Sequence, residues 1–122
     1  KQTRCIYLFF IMTIQYKSTT YSLTTTNLTT VLTISTSSSA ICKMVQGSHA
    51  TASNVDVDLY LKKSGGSDVE IGHVVLNKSS ENLIKDTLNL EGGDILKIQA
   101  GTANEITGVV SYAQLDRSQE NG

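Results

Sequence analysis

The sequence predicts an all-β protein: an antiparallel β-sandwich, jelly-roll or Ig-like, with an extended N-terminal arm. Three observations predict this class. Short apolar-patterned segments recur about every ten residues, separated by clusters of Gly, Ser and Asn, which is typical of sandwiches and barrels. Ser and Thr are abundant, whereas charged residues make up only 17% of the chain. No segment holds a convincing helical period.

The clearest strand is Asn54–Lys62. Its apolar residues Val55, Val57, Leu59 and Leu61 alternate with polar ones. Successive side chains of a strand point to opposite faces, so this segment has one dry and one wet face. It therefore places these four side chains in a core.

The remaining strands follow from weaker patterns. In Ala40–Gln46 we expect the side with Cys42 and Met44 to be buried. Lys63–Asp68 has the composition of a hairpin loop, and Asn77–Asn82 that of a polar connector. Ser80–Leu90 is the best helix candidate, because the spacing of Leu83, Ile84 and Leu88 could suit one or two turns, but we favour strand or loop. The other predicted strands are Thr30–Thr36, Val69–Leu76, Ile95–Ala100 and Glu105–Leu115.

The chain divides into an N-terminal arm (1–24), a sandwich domain (25–116) and a flexible tail (117–122). Residues 1–11 could precede a natural start at Met12. Cys5–Met12 is a run of apolar residues that is too short to span a bilayer, and left exposed it would aggregate. We expect it to be covered by the domain or by a neighbouring subunit. The predicted partner-contact residues are Ile6, Tyr7, Leu8, Phe9, Phe10, Ile14, Tyr16 and Tyr21.

The amino-acid composition limits the kinds of partner and ligand that the protein is expected to bind. The net charge of −1 and the lack of a Lys/Arg run give no footprint for nucleic acid, and we predict no membrane association. Cys5 and Cys42 fit no zinc or redox motif. A disulfide between them is possible, but free thiols in a reducing cytoplasm fit better.

Two histidines offer the parts of a hydrolase. His49 and His73, with any of many Ser residues and Asp56 or Asp58, could form a triad, yet a triad is defined by geometry rather than by composition. The sequence has no Gly-x-Ser-x-Gly elbow. We therefore expect a surface His49 and a strand His73, and no enzyme. A hydrolase would need one of them within hydrogen-bond reach of a Ser.

Acidic residues cluster on the predicted hairpin. Asp56, Asp58, Asp68 and Glu70 offer oxygen ligands of the kind that Ca²⁺ takes. No EF-hand loop is present, and such charges also discourage edge-to-edge pairing of sheets. We favour a solvated acidic face, and predict no metal, no cofactor and no catalytic residue.

Four segments carry a resemblance to a known group. The strands "TVLTIST", "NVDVDLYL", "LEGGDILKIQA" and "VVSY" occur in that order, at Thr30–Thr36, Asn54–Leu61, Leu90–Ala100 and Val109–Tyr112. This order resembles the small β-sandwich virion proteins of tailed bacteriophages, over roughly three-quarters of the chain. One departure is that the group commonly has Pro beside two of these strands, and this chain has none.

The resemblance implies a structural part of a phage particle without catalytic residues. The leading expectation is a capsid decoration or cement protein in the virion, assembled in the host cytoplasm. Its partners would be the major capsid protein or tail and neck proteins, with a homo-oligomer, preferably a trimer. The alternative is a carbohydrate- or receptor-binding module of a tail or fibre, in which Tyr60 and Tyr112 would contact a glycan.

Overall fold

The computed structural model describes residues 14–116 and shows nine β-strands in that range, with no helix long and apolar enough to cross a membrane. The strands are β1 (Ile14–Leu23), β2 (Thr29–Thr33), β3 (Ser38–His49), β4 (Val55–Lys62), β5 (Asp68–Leu76), β6 (Ser80–Asn82), β7 (Leu88–Leu90), β8 (Ile95–Ala100) and β9 (Ile106–Asp116).

The strands form two antiparallel sheets that pack face to face. One sheet, here sheet A, has the order β1-β9-β3-β6, with β7 also paired to β3. The other, sheet B, has the order β2-β8-β4-β5. The first strand thus pairs with the last, β2 with β8, β3 with β6 and β7, and β4 with β5. This nested pairing is the winding of a jelly roll. The predicted all-β sandwich is confirmed.

The core lies between the two sheets. Val55, Val57 and Leu59 of β4 are at most 2% exposed, as the alternation predicts, and Leu61 packs against the same cluster at its edge. From sheet A the facing side chains include Val45 and Val110, both fully buried. Burying each of these aliphatic side chains stabilises the fold by about 2 kcal/mol relative to exposure.

A β-bulge changes the predicted burial in β3. Cys42 pairs with Tyr112 and Met44 with Ser111, so Lys43 is an extra residue without an opposite partner. An extra residue reverses the alternation beyond it. Cys42 is fully buried, as predicted, but Val45 rather than Met44 continues the buried side. The prediction for Met44 is wrong because it assumed uninterrupted alternation.

The boundary between arm and domain also differs from the sequence interpretation. Residues 14–23 of the predicted arm form β1, which pairs with β9 along its whole length. Leu23, at its end, is 1% exposed and belongs to the core. The rest of the arm (1–13), the Met12 start, Cys5 and the tail (117–122) lie outside the described residues.

The segments between Leu76 and Leu90 contain two short strands. β6 forms within the segment predicted as a polar connector, and β7 within the segment for which strand or loop was favoured over helix. Both pair with β3. Together they form one edge of sheet A. Each strand is only three residues long, which makes it hard to recognise in the sequence.

Candidate functional site

The outer face of sheet A carries no charged side chain at its paired positions. Antiparallel partners lie on the same face, and the register aligns five rows across β1, β9 and β3. Their side chains point away from the core, because the intervening residues include the buried Leu23, Val110, Ala40 and Cys42. We call these residues the uncharged face; its rows are Ile14–Leu115–Ser39, Tyr16–Ala113–Ile41, Ser18–Ser111–Met44, Thr20–Val109–Gln46 and Ser22–Thr107–Ser48.

One end of the uncharged face is apolar. Ile14 is 57% exposed, Tyr16 74% and Ile41 46%. Ala113 and Leu115 lie between them on β9. Here a groove of about 330 Å³, which we call the apolar groove, is lined by Ile14, Ser39, Ala40, Ile41, Asn89, Leu90, Glu91, Ala113, Gln114 and Leu115. Beside it, the Lys43 Nζ lies 4.9 Å from the centre of the Tyr16 ring.

The predicted contact residues divide into three groups. Ile14 and Tyr16 are exposed on the uncharged face. Tyr21 points the other way: its ring packs against the core and its hydroxyl donates to the Gln46 carbonyl oxygen at 2.7 Å. Burial raises the pKa of Tyr21. The stretch Ile6–Phe10 lies outside the described residues. Ile41, Ala113 and Leu115 join the groove only through strand pairing, so the sequence prediction missed them.

The outer face of sheet B is charged, in contrast to that of sheet A. Asp58 Oδ1 lies 2.5 Å from His73 Nδ1, across the β4–β5 pair. Lys97 on β8 forms an ion pair with Asp68 at 3.0 Å. Strand β5 has its own bulge at Ile71, since Tyr60 pairs with Glu70 and Leu59 with Gly72. That bulge puts Glu70 and His73 on the same face.

Glu70, Asp58 and His73 therefore form a compact cluster. One ligand atom from each lies within 4.8 Å of the other two. Two carboxylates and an imidazole suit a divalent transition metal. However, Asp58 and His73 already satisfy each other through their ion pair, and Glu70 Oε1 lies 3.5 Å from the Tyr60 hydroxyl oxygen. The acidic residues were predicted to form a solvated face, and what the structure adds is the histidine among them.

The Asp58–His73 pair is expected to change the pKa of the histidine. The hydrogen bond to Asp58 raises the pKa of His73 from its ordinary value, with nearby carboxylates adding to it and desolvation opposing it. A raised pKa means that the pair stabilises the fold at pH values below the ordinary His pKa, and that this contribution disappears as the pH rises through the folded-state value. We expect an NMR titration of the His73 ring to give a pKa above 6.5, and Asp58→Asn to lower it. An unchanged His73 pKa in Asp58→Asn would contradict the pairing.

His49 lies in a polar cluster at the end of β3. Contrary to the prediction of a surface histidine, it is 2% exposed. Its Nε2 lies 3.1 Å from Ser53 Oγ, and its Nδ1 lies 3.5 Å from Glu105 Oε1. The distance condition for a hydrolase is thus met by one Ser–His–Glu set.

The hydrogen-bond roles in this cluster do not favour catalysis. The Nε2 of His49 lies nearest the Ser53 carbonyl oxygen, at 2.9 Å. A carbonyl oxygen only accepts, so Nε2 donates to it and is not free to take a proton from Ser53 Oγ. Nδ1 also faces the Glu105 carbonyl oxygen, at 3.3 Å. The Thr51 hydroxyl, which donates to Glu105 Oε1 at 2.8 Å, joins the 49–53 turn to the residue before β9, so a structural role accounts for this cluster.

The two tyrosines of the glycan-binding alternative lie on different sheets. Tyr60 on β4 is half-buried on the charged face, with its hydroxyl 3.5 Å from Glu70 Oε1. Tyr112 on β9 packs against the core. A sugar-stacking platform needs aromatic rings side by side and open to solvent, and these two are not.

Comparison with known proteins finds similarity to solved structures but not to any sequence family. No protein-family model and no curated protein matches the sequence. Among solved structures, the chain is similar to the acid-stable capsid of Helicobacter pylori bacteriophage KHP30, with a TM-score of 0.55, 10% identity, and 86% of this chain and 89% of that chain covered.

Two further matches have lower TM-scores. A pilus subunit of Bacillus endospore appendages gives 0.48 at 16% identity, covering 86% of this chain and 88% of that one. A pentameric capsid protein from metagenomic phage sequences gives 0.45 at 15% identity, covering 85% and 65%. At sequence identities of 10–16%, these matches show a similarity of fold and not of function. Of the three, only the KHP30 capsid chain has a TM-score that supports a similarity of fold, over 86% of this chain.

Proposed function

We propose that this chain is a non-enzymatic structural protein of a tailed-bacteriophage virion, and that it decorates the capsid shell as a cement protein. The single observation that carries the proposal is the uncharged face of sheet A. Protein interfaces are depleted of charged residues at their centres and enriched in aromatic residues and Met. The paired positions of the uncharged face meet both conditions, with Met44 near the middle and Tyr16 at the apolar end. The bulge residue Lys43 places a charge beside them, over the Tyr16 ring.

The size of the face indicates how it would be used. Three strands about 4.8 Å apart and nine residues long present roughly 14 Å by 30 Å, or about 400 Å² in projection. A standard stable interface buries about 800 Å² on each partner. The face of one copy alone is therefore too small, so neighbouring copies of the chain would have to contribute the remaining contact area with the shell.

The phage setting is supported by fold and by sequence pattern together. The jelly roll is common among viral capsid domains, the strand order resembles small virion proteins, and a phage capsid structure matches the fold over 86% of the chain. In this setting the partners are the major capsid protein and further copies of the chain, a trimer being the preferred oligomer, and assembly takes place in the host cytoplasm.

The proposal is tested by charging the centre of the face. Ser111 pairs with Ser18 and Met44 in the middle row. Ser111→Glu places one carboxylate where a docked shell would exclude water, which we expect to weaken binding at least tenfold because an unpaired buried charge costs several kcal/mol. The assay is co-sedimentation of the purified protein with empty shells of the phage that encodes it.

A matched control charges the opposite face. Thr30 is exposed on β2 and pairs with Lys97 of β8, on the outer face of sheet B. We expect Thr30→Glu to sediment with the shells as the wild type does. Loss of binding in both variants, or in neither, would refute a docking role for the uncharged face. Circular dichroism of each variant checks that the sandwich remains folded.

A further inference from the structure

The apolar groove lies where both undescribed segments leave the domain. β1 begins at Ile14 and runs antiparallel to β9, which ends at Asp116. Ile14 and Leu115, a pair in that register, both line the groove. Residues 1–13 and 117–122 therefore both start beside it, and either is tethered closely enough to reach it.

The composition of the two segments selects one of them. Cys5–Met12 consists of eight consecutive apolar residues, CIYLFFIM, whereas 117–122 reads RSQENG and is wholly polar or Gly. Exposed apolar side chains line the groove, and burying apolar surface against them is favourable by roughly 25 cal/mol per Å². The polar tail gains nothing comparable. The N-terminal segment is the matching occupant.

The sequence beside Ile14 also indicates from which copy the segment comes. To fill the groove of its own domain, the chain would have to reverse direction just before β1. Phe10 to Ile14 reads FIMTI and contains none of the residues that favour turns, which are Gly, Pro, Asn, Asp and Ser. Aromatic and β-branched residues instead favour an extended chain.

An extended segment reaches beyond the domain. At about 3.3 Å per residue, eight residues span roughly 26 Å past the end of sheet A. This is comparable with the length of a whole strand of the sandwich and is long enough to reach a neighbouring molecule. The groove volume of about 330 Å³ is at the low end for binding pockets. It takes a few large side chains rather than the entire segment.

We propose that residues 5–12 of one copy bind the apolar groove of a second copy, with their aromatic and aliphatic side chains seated between Ile41, Ala113 and Leu115. This inference names the partner of the N-terminal segment, and only its biological setting rests on the proposed virion function. The segment and the groove are different surfaces, so the contact is head-to-tail. Such contacts close into rings when the rotation between copies allows it.

The test separates the two halves of the contact. Phe9→Asp with Phe10→Asp spoils the segment but leaves the groove, and Ile41→Asp spoils the groove but leaves the segment. We expect the wild type to be oligomeric by analytical ultracentrifugation and each variant alone to be monomeric. Mixed in equal amounts, the two variants should form a 1:1 dimer of twice the monomer mass. Thr107→Asp, at the far end of the same face, should keep the wild-type mass.

Other results would overturn the proposal. A monomeric wild type would mean that the segment folds onto its own domain or leaves the groove empty. Self-association of the segment variant alone would indicate face-to-face pairing. Absence of a dimer in the mixture would exclude exchange of the segment. If Ile41→Asp does not fold, Ala113→Glu replaces it, since Ala113 lines the same groove. No shell enters this experiment, so its outcome is independent of capsid binding.

Discussion

Replacement of Gly108 by Ala is expected to destabilise the domain by about 3 kcal/mol or more. Gly108 lies within β9, paired with Tyr21 of β1 and Gly47 of β3. A Cβ atom on Gly108 would lie 1.8 Å from the Gln46 carbonyl oxygen and 2.5 Å from the Tyr21 hydroxyl oxygen. These are the two atoms of the 2.7 Å hydrogen bond between β1 and β3.

Neither of these two atoms can move away from the added methyl group without a large cost in free energy. The Gln46 oxygen is backbone in a central strand, and the Tyr21 ring is packed against the core. Overpacking usually costs 1–3 kcal/mol, and a methyl group aimed at a fixed backbone atom belongs at or above the upper end. We expect thermal unfolding of Gly108→Ala to occur at least about 10 °C lower than in the wild type.

Gly101→Ala provides the matched control. The nearest atoms to its Cβ, in Asp56, are 3.8 Å away, which is ordinary contact. We expect its melting temperature to stay near that of the wild type or to rise slightly, because Ala restricts the unfolded chain. Equal stability of the two alanine variants would show that β1, β9 and β3 do not approach as closely as described.

Replacement of Asp94 by Ala is expected to cost about 3 kcal/mol. Asp94 is 1% exposed in the Gly92–Gly93 turn before β8. Its carboxylate accepts from the Glu91 backbone N–H at 2.8 Å, from the Ser64 N–H at 3.3 Å and from Lys63 Nζ at 2.5 Å. Removing it deprives the charged Lys63 ammonium group and two backbone N–H groups of their shared buried acceptor, and each lost hydrogen bond costs about 1 kcal/mol or more. Urea unfolding measures the loss.

The same carboxylate makes stability depend on pH in the acid range. Burial alone would raise the pKa of Asp94, but the hydrogen bonds from Lys63 and the two backbone amides outweigh it, and the pKa is lowered. A lowered pKa means that the stabilisation is complete above the ordinary Asp value and is lost as the pH falls through the folded-state pKa. The stability difference between wild type and Asp94→Ala should therefore be full at pH 7 and should shrink at pH values below the ordinary range.

The exposed partner in this cluster serves as the control. Glu91 forms a 3.0 Å ion pair with the same Lys63, but its side chain is 76% exposed. Exposed ion pairs contribute little because water and salt screen them. Glu91→Gln should leave the unfolding midpoint nearly unchanged at every pH. A large loss in Glu91→Gln, or none in Asp94→Ala, would contradict the central role given to the buried carboxylate.

Elements with a strict local pattern could be predicted from the sequence. The alternation in Asn54–Lys62 identified the core side of β4, and Gly- and Ser-rich turns separated strands in the correct order. The sandwich class followed from these. For the candidate site, the predicted contact residues include Ile14 and Tyr16, which lie exposed on the uncharged face, and also Tyr21, which does not. Had β1 been recognised as a strand, alternation alone would have placed Tyr21 on the opposite face, since Tyr21 comes five positions after Tyr16 and an odd step reverses the side.

What the sequence by itself determined is the local periodicity: which segments are strands, where they turn, and which side of an unbroken strand is dry. Only the tertiary structure decided the rest, because it depends on partners far apart in the chain. The extra residue Lys43 is defined by the register of β3 against β9, and the burial of His49 by the position of Glu105. The uncharged face exists because β1, β9 and β3 pair side by side, and the groove at its end needs Ile14, Ile41 and Leu115 to meet.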